Sequence, residues 1–203
     1  MITRTIDLNG KSDYGRKTRE IALLLKSGAI AAIPTETVFG LACSGANKEA
    51  VRRLYKLKRR PLDKPFVVQV DKIAKLLGYG ISLDGKINRV LNRFWPGPLT
   101  VLLETSAGKT GFRMPDNKAA LSIIAASDFP VFVTSANMSG KKELVSAEEV
   151  GNTFDGLIDI IVDDGTIAEG TASTVLDCTR SHFKILRHGA LSRQLTRFLG
   201  YDK

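Results

Sequence analysis

The amino-acid sequence predicts a single α/β domain, and three observations carry that prediction. Short apolar runs of strand length, at residues 29–33, 66–70 and 131–134, alternate with segments whose apolar residues recur at helical spacing. No repeat, low-complexity tract or linker interrupts the 203 residues, so one domain over 1–203 is expected. Hydrophobic residues make up 43% and charged residues 25%, which supplies one core without a disordered or disulfide-rich bias.

The first helix is predicted over residues 18–26, where Ile21, Leu24 and Leu25 share a face and Gly28 follows at the usual glycine stop. Residues 29–33 then form a buried strand that Pro34 closes. Asn47 caps a second helix with Val51, Leu54 and Tyr55 on one face, and Pro61 stops it after Lys56, Lys58 and Arg59. A strand at 66–70 follows, then weakly amphipathic segments over 72–77 and 84–94, and a turn at Trp95-Pro96-Gly97-Pro98. Strands are predicted at 99–104 and 131–134, with a small helix over 119–126 between them. Ser146 caps a helix over 147–154, and strands follow at 157–162, 173–178 and 183–187. The last helix places Leu191, Leu195, Phe198 and Leu199 on one face.

A formal net charge of +9 favours an anionic partner, whether nucleotide, RNA or acidic headgroup. Cys43 and Cys178 are far apart and lack metal-ligand spacing, so two reduced, buried thiols are expected. No apolar run approaches the ~18 residues that span a bilayer, and the N-terminus has no signal-like apolar region. A cytosolic protein without a membrane partner is the expectation. There is neither a GxxxxGK[ST] loop nor a GxGxxG turn after a strand, which argues against P-loop and Rossmann enzymes. His182 and His188 have no ligand spacing and form no Ser-His-Asp arrangement, so structural or surface roles are expected.

Polar residues concentrate in three loops at predicted strand ends: Pro34-Thr35-Glu36-Thr37, Thr134-Ser135-Ala136-Asn137 and Thr171-Ala172-Ser173-Thr174. Strand ends are where α/β sheets put ligands. The segment from Lys56 to Pro65 reads either as a solvated helix end whose cations complement the helix dipole or as a phosphate site. In the second reading Pro61 and Pro65 stiffen the chain where Lys58, Arg60 and Lys64 project, and arginine forks with lysine point charges suit a polyphosphate.

Taken together, PTETVFGLAC from Pro34, LYKLKRRPLDKPF from Leu54, WPGPLT from Trp95, FRMP from Phe112, TSAN from Thr134, ASTVLD from Ala172 and ILRHGA from Ile185 resemble the YrdC/TsaC family in order and spacing, across nearly the whole chain. The resemblance implies a twisted mixed β-sheet flanked by helices and a large, positively charged concave cavity. It implies L-threonylcarbamoyladenylate synthesis from ATP, L-threonine and bicarbonate, for threonylcarbamoyladenosine modification of tRNA. The family's Lys-x-Arg and Ser-x-Asn signatures are present as Lys58-x-Arg60 and Ser135-x-Asn137, which favours a competent synthase over a paralogous branch that lacks them. The end at Lys203, directly after the last predicted helix, matches the short single-domain form.

Carried over by position, the resemblance implies threonine contacts from Thr35, Gln69, Arg113, Ser135 and Ser173, with Arg113 facing the carboxylate. It implies ATP contacts from Lys58, Arg60, Lys64, Ser135, Asn137, Ser146 and Arg187, with Lys58 and Arg60 as the catalytic pair. Lys64 is argued from its charge more than from the motif. Phe39, Gln69, Asp116-Asn117 and His188 depart from residues common in relatives; Gln69 stands where histidine is frequent. Glu36 is a conceivable base and is read as structural. Magnesium is implied, held chiefly by ATP phosphates, as are transfer of the product to a tRNA threonylcarbamoyltransferase complex and weak tRNA affinity. Two rival readings are an RNA-binding protein of the same fold without synthase activity and a scaffold that has lost catalysis. The 7% aromatic content, without aromatic-basic interleaving, weighs against the first.

Overall fold

The computed structural model describes residues 2–10, 13–83 and 85–200. Ten strands among them form one mixed sheet: β1 (Arg4–Asp7), β2 (Ala31–Ile33), β3 (Gly40–Ser44), β4 (Val67–Gln69), β5 (Leu99–Thr105), β6 (Gly108–Arg113), β7 (Val131–Ser135), β8 (Ile160–Asp163), β9 (Thr174–Asp177) and β10 (Lys184–Arg187). Their order across the sheet is β1-β8-β2-β3-β7-β4-β6-β5-β9-β10. The helices are α1 (Tyr14–Lys26), α2 (Lys48–Lys58), α3 (Gly85–Phe94), α4 (Lys118–Ala125), α5 (Ala147–Phe154) and α6 (Ser192–Leu199), with a 3-10 segment at Ile73–Tyr79.

Local chemistry accounts for most of these boundaries. The Asn47 side chain accepts hydrogen bonds from the Glu49 and Ala50 amides at the start of α2, and Ser146 accepts from Glu149 at the start of α5. The Glu149 carboxylate returns to the Val145 amide, a reciprocal cap. Helix α1 begins four residues before its predicted start, and Gly28 follows it with φ 108°. The predicted start of α3 at Asp84 and the terminus at Lys203 lie outside the described residues.

Three strands had no prediction, each for a physical reason. The five residues of β3 are buried on both faces and include only one large apolar side chain, Leu41, so neither alternation nor bulk marks them. Strand β6, GKTGFR, is half polar and becomes a strand through its hairpin with β5, where Thr100 pairs with Arg113 and Thr105 with Gly108. Strand β1 is an edge with one buried residue, Ile6.

The two halves of the sheet are covered differently, and this positions the site. Around β2, β3 and β8, α1 and α4 pack Ile21, Leu25, Ala120 and Ile123 on one face. On the other face α2 and α5 pack Leu54, Val150 and Phe154 against Ala32, Leu41 and Ile161. In the other half, α3 and α6 bring Val90, Leu91, Phe94 and Leu195 onto Val68, Val101, Phe112 and Leu176. Successive strand residues point to opposite faces, so Val67, Gln69, Thr100, Leu102, Gly111, Arg113 and Val175 face the other way, into open space. Among the described residues no helix is long and apolar enough to cross a membrane. Cys43 and Cys178 are free and buried, and burial pushes the Cys43 thiol up to about 12. His182 and His188 are exposed.

The link from β10 to α6 passes so close to the start of β9 that only glycine fits. A Cβ on Gly189 would lie 2.2 Å from the Ala172 carbonyl oxygen and 2.6 Å from Ser173 and Thr174 backbone atoms. Gly189→Ala is expected to lower stability by about 1–3 kcal/mol, because backbone must move to admit the methyl group. Gly78→Ala, with nothing within 4 Å of the added atom, is expected to stay within about 0.5 kcal/mol. Denaturant unfolding of both variants checks the contrast; equal losses would contradict the packing argument.

Candidate active site

The uncovered sheet face is the floor of a cavity of about 820 Å³. Its rim comes from loops that backbone hydrogen bonds draw together. The β2–β3 turn and the segment after β7 are tied by Ala136 N to Phe39 O at 2.7 Å, Phe39 N to Leu144 O at 2.9 Å and Leu144 N to Ala136 O at 3.0 Å. Residues Glu169 and Gly170 donate to the Glu36 and Thr37 carbonyls at 3.1 and 2.8 Å, pinning the turn from its other side. Five cationic side chains, Arg60, Lys64, Lys109, Arg113 and Arg187, and one acid, Asp63, line the cavity.

Helix α2 ends on Arg59, whose φ of 48° turns the chain left-handed, a conformation that costs a non-glycine residue roughly 1–2 kcal/mol. The turn separates its neighbours: Lys58 is 3% exposed beneath the rim, while Arg60 lines the cavity. The Lys58 ammonium donates to the Ser135 carbonyl at 2.7 Å, the Asn137 carbonyl at 2.6 Å and Asn137 Oδ1 at 2.5 Å. Its three donors therefore have three acceptors. Ser135 Oγ also donates to Asn137 Oδ1 at 2.9 Å, and Asn137 Nδ2 donates to the Lys141 carbonyl at 2.6 Å. Burial, with Arg60 beside it and Glu143 pulling the other way, draws Lys58 down to about 8.

Arg60 is held by its own loop. Nε donates to the Lys64 carbonyl at 2.7 Å and Nη2 to the Pro65 carbonyl at 3.1 Å. The guanidinium lies 5.5 Å from the Phe66 ring centroid. Across the cavity, Arg187 donates through Nε and Nη2 to the Ser173 carbonyl at 3.0 and 2.9 Å, and through Nη2 to Ser173 Oγ at 3.0 Å. Thr100 Oγ1 is 2.9 Å from the same hydroxyl. Desolvation lowers the Arg187 pKa, Glu143 opposes it, and the cations Arg113 and Arg60 lower it further.

At the Arg113 end, Thr35 Oγ1 donates to the Val38 carbonyl at 2.6 Å and lies 3.0 Å from Thr37 Oγ1. Arg113 Nη2 donates to Thr37 Oγ1 at 2.8 Å and lies 2.8 Å from Glu36 Oε1. This contact is an ion pair outside hydrogen-bond geometry. Both Glu36 oxygens, Arg113 Nε and Gln69 Oε1 are therefore buried without a hydrogen-bond partner. Gln69 and Arg113 are register partners on β4 and β6.

Of the residues singled out in the sequence, Thr35, Arg60, Lys64, Gln69, Arg113, Ser135, Ser173 and Arg187 line this one cavity. Lys58 and Asn137 stand behind the rim and hold it, and Ser146 occupies the cap of α5, outside the lining. Sequence reasoning named Thr37 only within the Pro34–Thr37 loop and missed Thr100 and Lys109. The signal for Thr100 and Lys109 was the β5–β6 hairpin, whose register faces them into the cavity with Arg113. Among the described residues no group of three or more His, Cys, Asp or Glu is placed to hold a metal ion.

Comparison with known proteins agrees with this architecture. Residues 23–189 match the Sua5_yciO_yrdC family, described as telomere recombination. The chain is 37% identical over 186 residues to a Bacillus subtilis protein named threonylcarbamoyl-AMP synthase, covering 86% of this chain and 54% of that one. A Pyrococcus abyssi protein of the same name is 35% identical over 185 residues, with the same coverages. The chain thus spans about half the length of these curated relatives. A crystal structure of P. abyssi Sua5 complexed with L-threonine superposes with a TM-score of 0.88 at 31% identity, covering 98% of this chain and 61% of that one. On sequence and fold alike, the chain belongs to the Sua5/YciO/YrdC family.

Proposed function

We propose that this chain is a threonylcarbamoyl-AMP synthase, a nucleotidyltransferase that converts ATP, L-threonine and bicarbonate into threonylcarbamoyl-AMP and pyrophosphate. The observation that carries the reading is a single cavity whose lining gathers Arg60, Lys64 and Arg187 together with Thr35, Gln69 and Arg113. The first group suits a polyphosphate and the second an amino acid. The names of the relatives above support the same assignment.

In this reading the threonine ammonium gives up a proton and the free amine joins bicarbonate with loss of water. A carbamate oxygen then attacks the α-phosphorus and pyrophosphate leaves. Neither step needs a protein nucleophile, so positioning and charge stabilisation carry the rate. Arg113 and Thr35 seat threonine, with Ser135 and Ser173 between it and the phosphates. Arg60, Lys64 and Arg187 neutralise charge as pyrophosphate departs. Lys58 acts with Arg60 from behind the rim: its charge is buried there, and its hydrogen bonds hold Ser135 and Asn137 in place. Ser146 reaches the nucleotide only from the α5 cap. With no carboxylate cluster among the described residues, magnesium fits as the nucleotide's counter-ion, held by phosphate oxygens and water.

The product is a labile acyl-adenylate for a tRNA threonylcarbamoyltransferase complex in the cytoplasm, and the net charge of +9 is compatible with weak tRNA affinity. Incubation with ATP, magnesium, threonine and bicarbonate is expected to release pyrophosphate and the acyl-adenylate only when both threonine and bicarbonate are present. The absence of turnover that depends on both would overturn the assignment and favour RNA binding without synthase activity.

The Lys58 geometry also sets a pH dependence. Below about 8 the ammonium is charged and serves all three acceptors; above it, the neutral amine has one donor fewer. At saturating threonine, kcat/KM for ATP is expected to fall as pH rises through about 8, because kcat/KM reports the enzyme before ATP binds. Lys58→Arg, charged throughout that range, removes this limb from the profile. An unchanged limb in Lys58→Arg would assign it to another group.

A further inference from the structure

The five cations of the cavity are not equivalent. Lys109 is paired with Asp177 at 2.7 Å, and Arg113 with Glu36 at 2.8 Å. Arg60, Lys64 and Arg187 have no ion-pair partner among the described residues. The cavity therefore holds three cations without a carboxylate partner among the described residues, whereas the charge of Arg113 is balanced where it lies. Arg113 is near enough to Arg187 to oppose its charge, so an uncompensated Arg113 would extend the phosphate-attracting field along the floor.

Glu36 is unusual for a structural carboxylate. It has no hydrogen bond on either oxygen, although both are shielded from solvent, and its side chain is 16% exposed. A buried carboxylate retained only for folding is normally satisfied by donors. Here the Arg113 donor on Nη2 is directed at Thr37 Oγ1, and Glu36 contributes its charge alone. Arg113 Nε lacks an acceptor and Gln69 Oε1 lacks a donor, side by side on adjacent strands. A group bearing both a carboxylate and an ammonium would satisfy the two together.

We propose that Glu36 is a specificity-determining residue: by cancelling the Arg113 charge it makes this part of the cavity select a zwitterionic amino acid and exclude phosphate and simple carboxylates. The role rests on the synthase reading and adds a division of the cavity to it. Glu36 does this through Arg113 and is a positioning residue, not a proton carrier, since its oxygens are shielded. An anion lacking an ammonium would meet a fork of zero net charge, with the Glu36 carboxylate close behind it. Threonine brings the compensating positive charge with it.

The test compares L-threonine with 3-hydroxybutyrate, which has the same carbon skeleton without the ammonium, by calorimetry on the full chain, with pyrophosphate as the competing anion. The wild-type protein is expected to bind threonine at least ~100-fold more tightly than 3-hydroxybutyrate, with pyrophosphate not competing for that site. In Glu36→Gln the preference is expected to drop at least ~10-fold, a loss of about 1.4 kcal/mol of discrimination, and pyrophosphate becomes competitive with threonine. Asp177→Asn, at the other pair, leaves the threonine preference unchanged. A gain of anion binding cannot arise from misfolding, so it separates this role from a structural one. Wild-type binding of threonine with an unchanged preference in Glu36→Gln overturns the proposal alone; failure of the wild-type protein to bind threonine overturns the synthase reading as well.

Discussion

One buried ammonium organises the rim of the cavity. Lys58 sits at the last turn of α2, and its three hydrogen bonds all go to Ser135 and Asn137, at the end of β7. Burying a lysine is costly unless every donor is served, and here the donors and acceptors match in number. If the ammonium were absent, the Asn137 carbonyl would lose this donor in a place where such a loss costs about 1–3 kcal/mol, and the Ser135 carbonyl and Asn137 Oδ1 would keep only the Asn137 amide and Ser135 Oγ. Lys-x-Arg and Ser-x-Asn are thus one physical contact across 77 residues of chain. The intervening residue, left-handed Arg59, turns Arg60 away from that contact and into the cavity.

The cavity exists because the sheet is covered unevenly. Four helices cover both faces around β2, β3 and β8, whereas α3 and α6 cover one face of β4, β6, β5 and β9. Strand alternation then places polar residues and small apolar ones, Gln69, Thr100, Gly111, Arg113 and Val175, on the open face. The loops above are held by backbone hydrogen bonds, and their hydroxyls are fixed in turn, Thr35 to the Val38 carbonyl, Ser135 to Asn137 and Ser173 by Arg187. Glu36 and Asp177 pair with two of the five cations of the lining, Arg113 and Lys109, and leave Arg60, Lys64 and Arg187 without a carboxylate partner among the described residues.

The α/β class and most elements were legible because their signals are local. Asn47 and Ser146 are caps with a hydrogen-bond mechanism, and Gly28 follows α1 with the positive φ that glycine tolerates. Strands β3 and β6 were not legible, since what makes them strands is pairing: β3 with β2 and β7, β6 with β5 and β4. The same distinction runs through the site. Lys58, Arg60, Ser135 and Asn137 stood out as motif residues, but the sequence does not reveal that Lys58 is directed at the other motif and away from the lining. The pairing of Glu36 with Arg113 joins positions 77 apart and depends on register across several strands, which no local pattern encodes.

The most direct test of the account is a double-mutant cycle on kcat/KM for ATP with Lys58→Ala and Asn137→Ala. If Lys58 acts through the Ser-x-Asn loop, each single change lowers kcat/KM at least ~10-fold, or about 1.4 kcal/mol, and the double variant is little worse than either. Losses that simply multiply would show that the two residues act independently, and would contradict the claim that this buried contact organises the site.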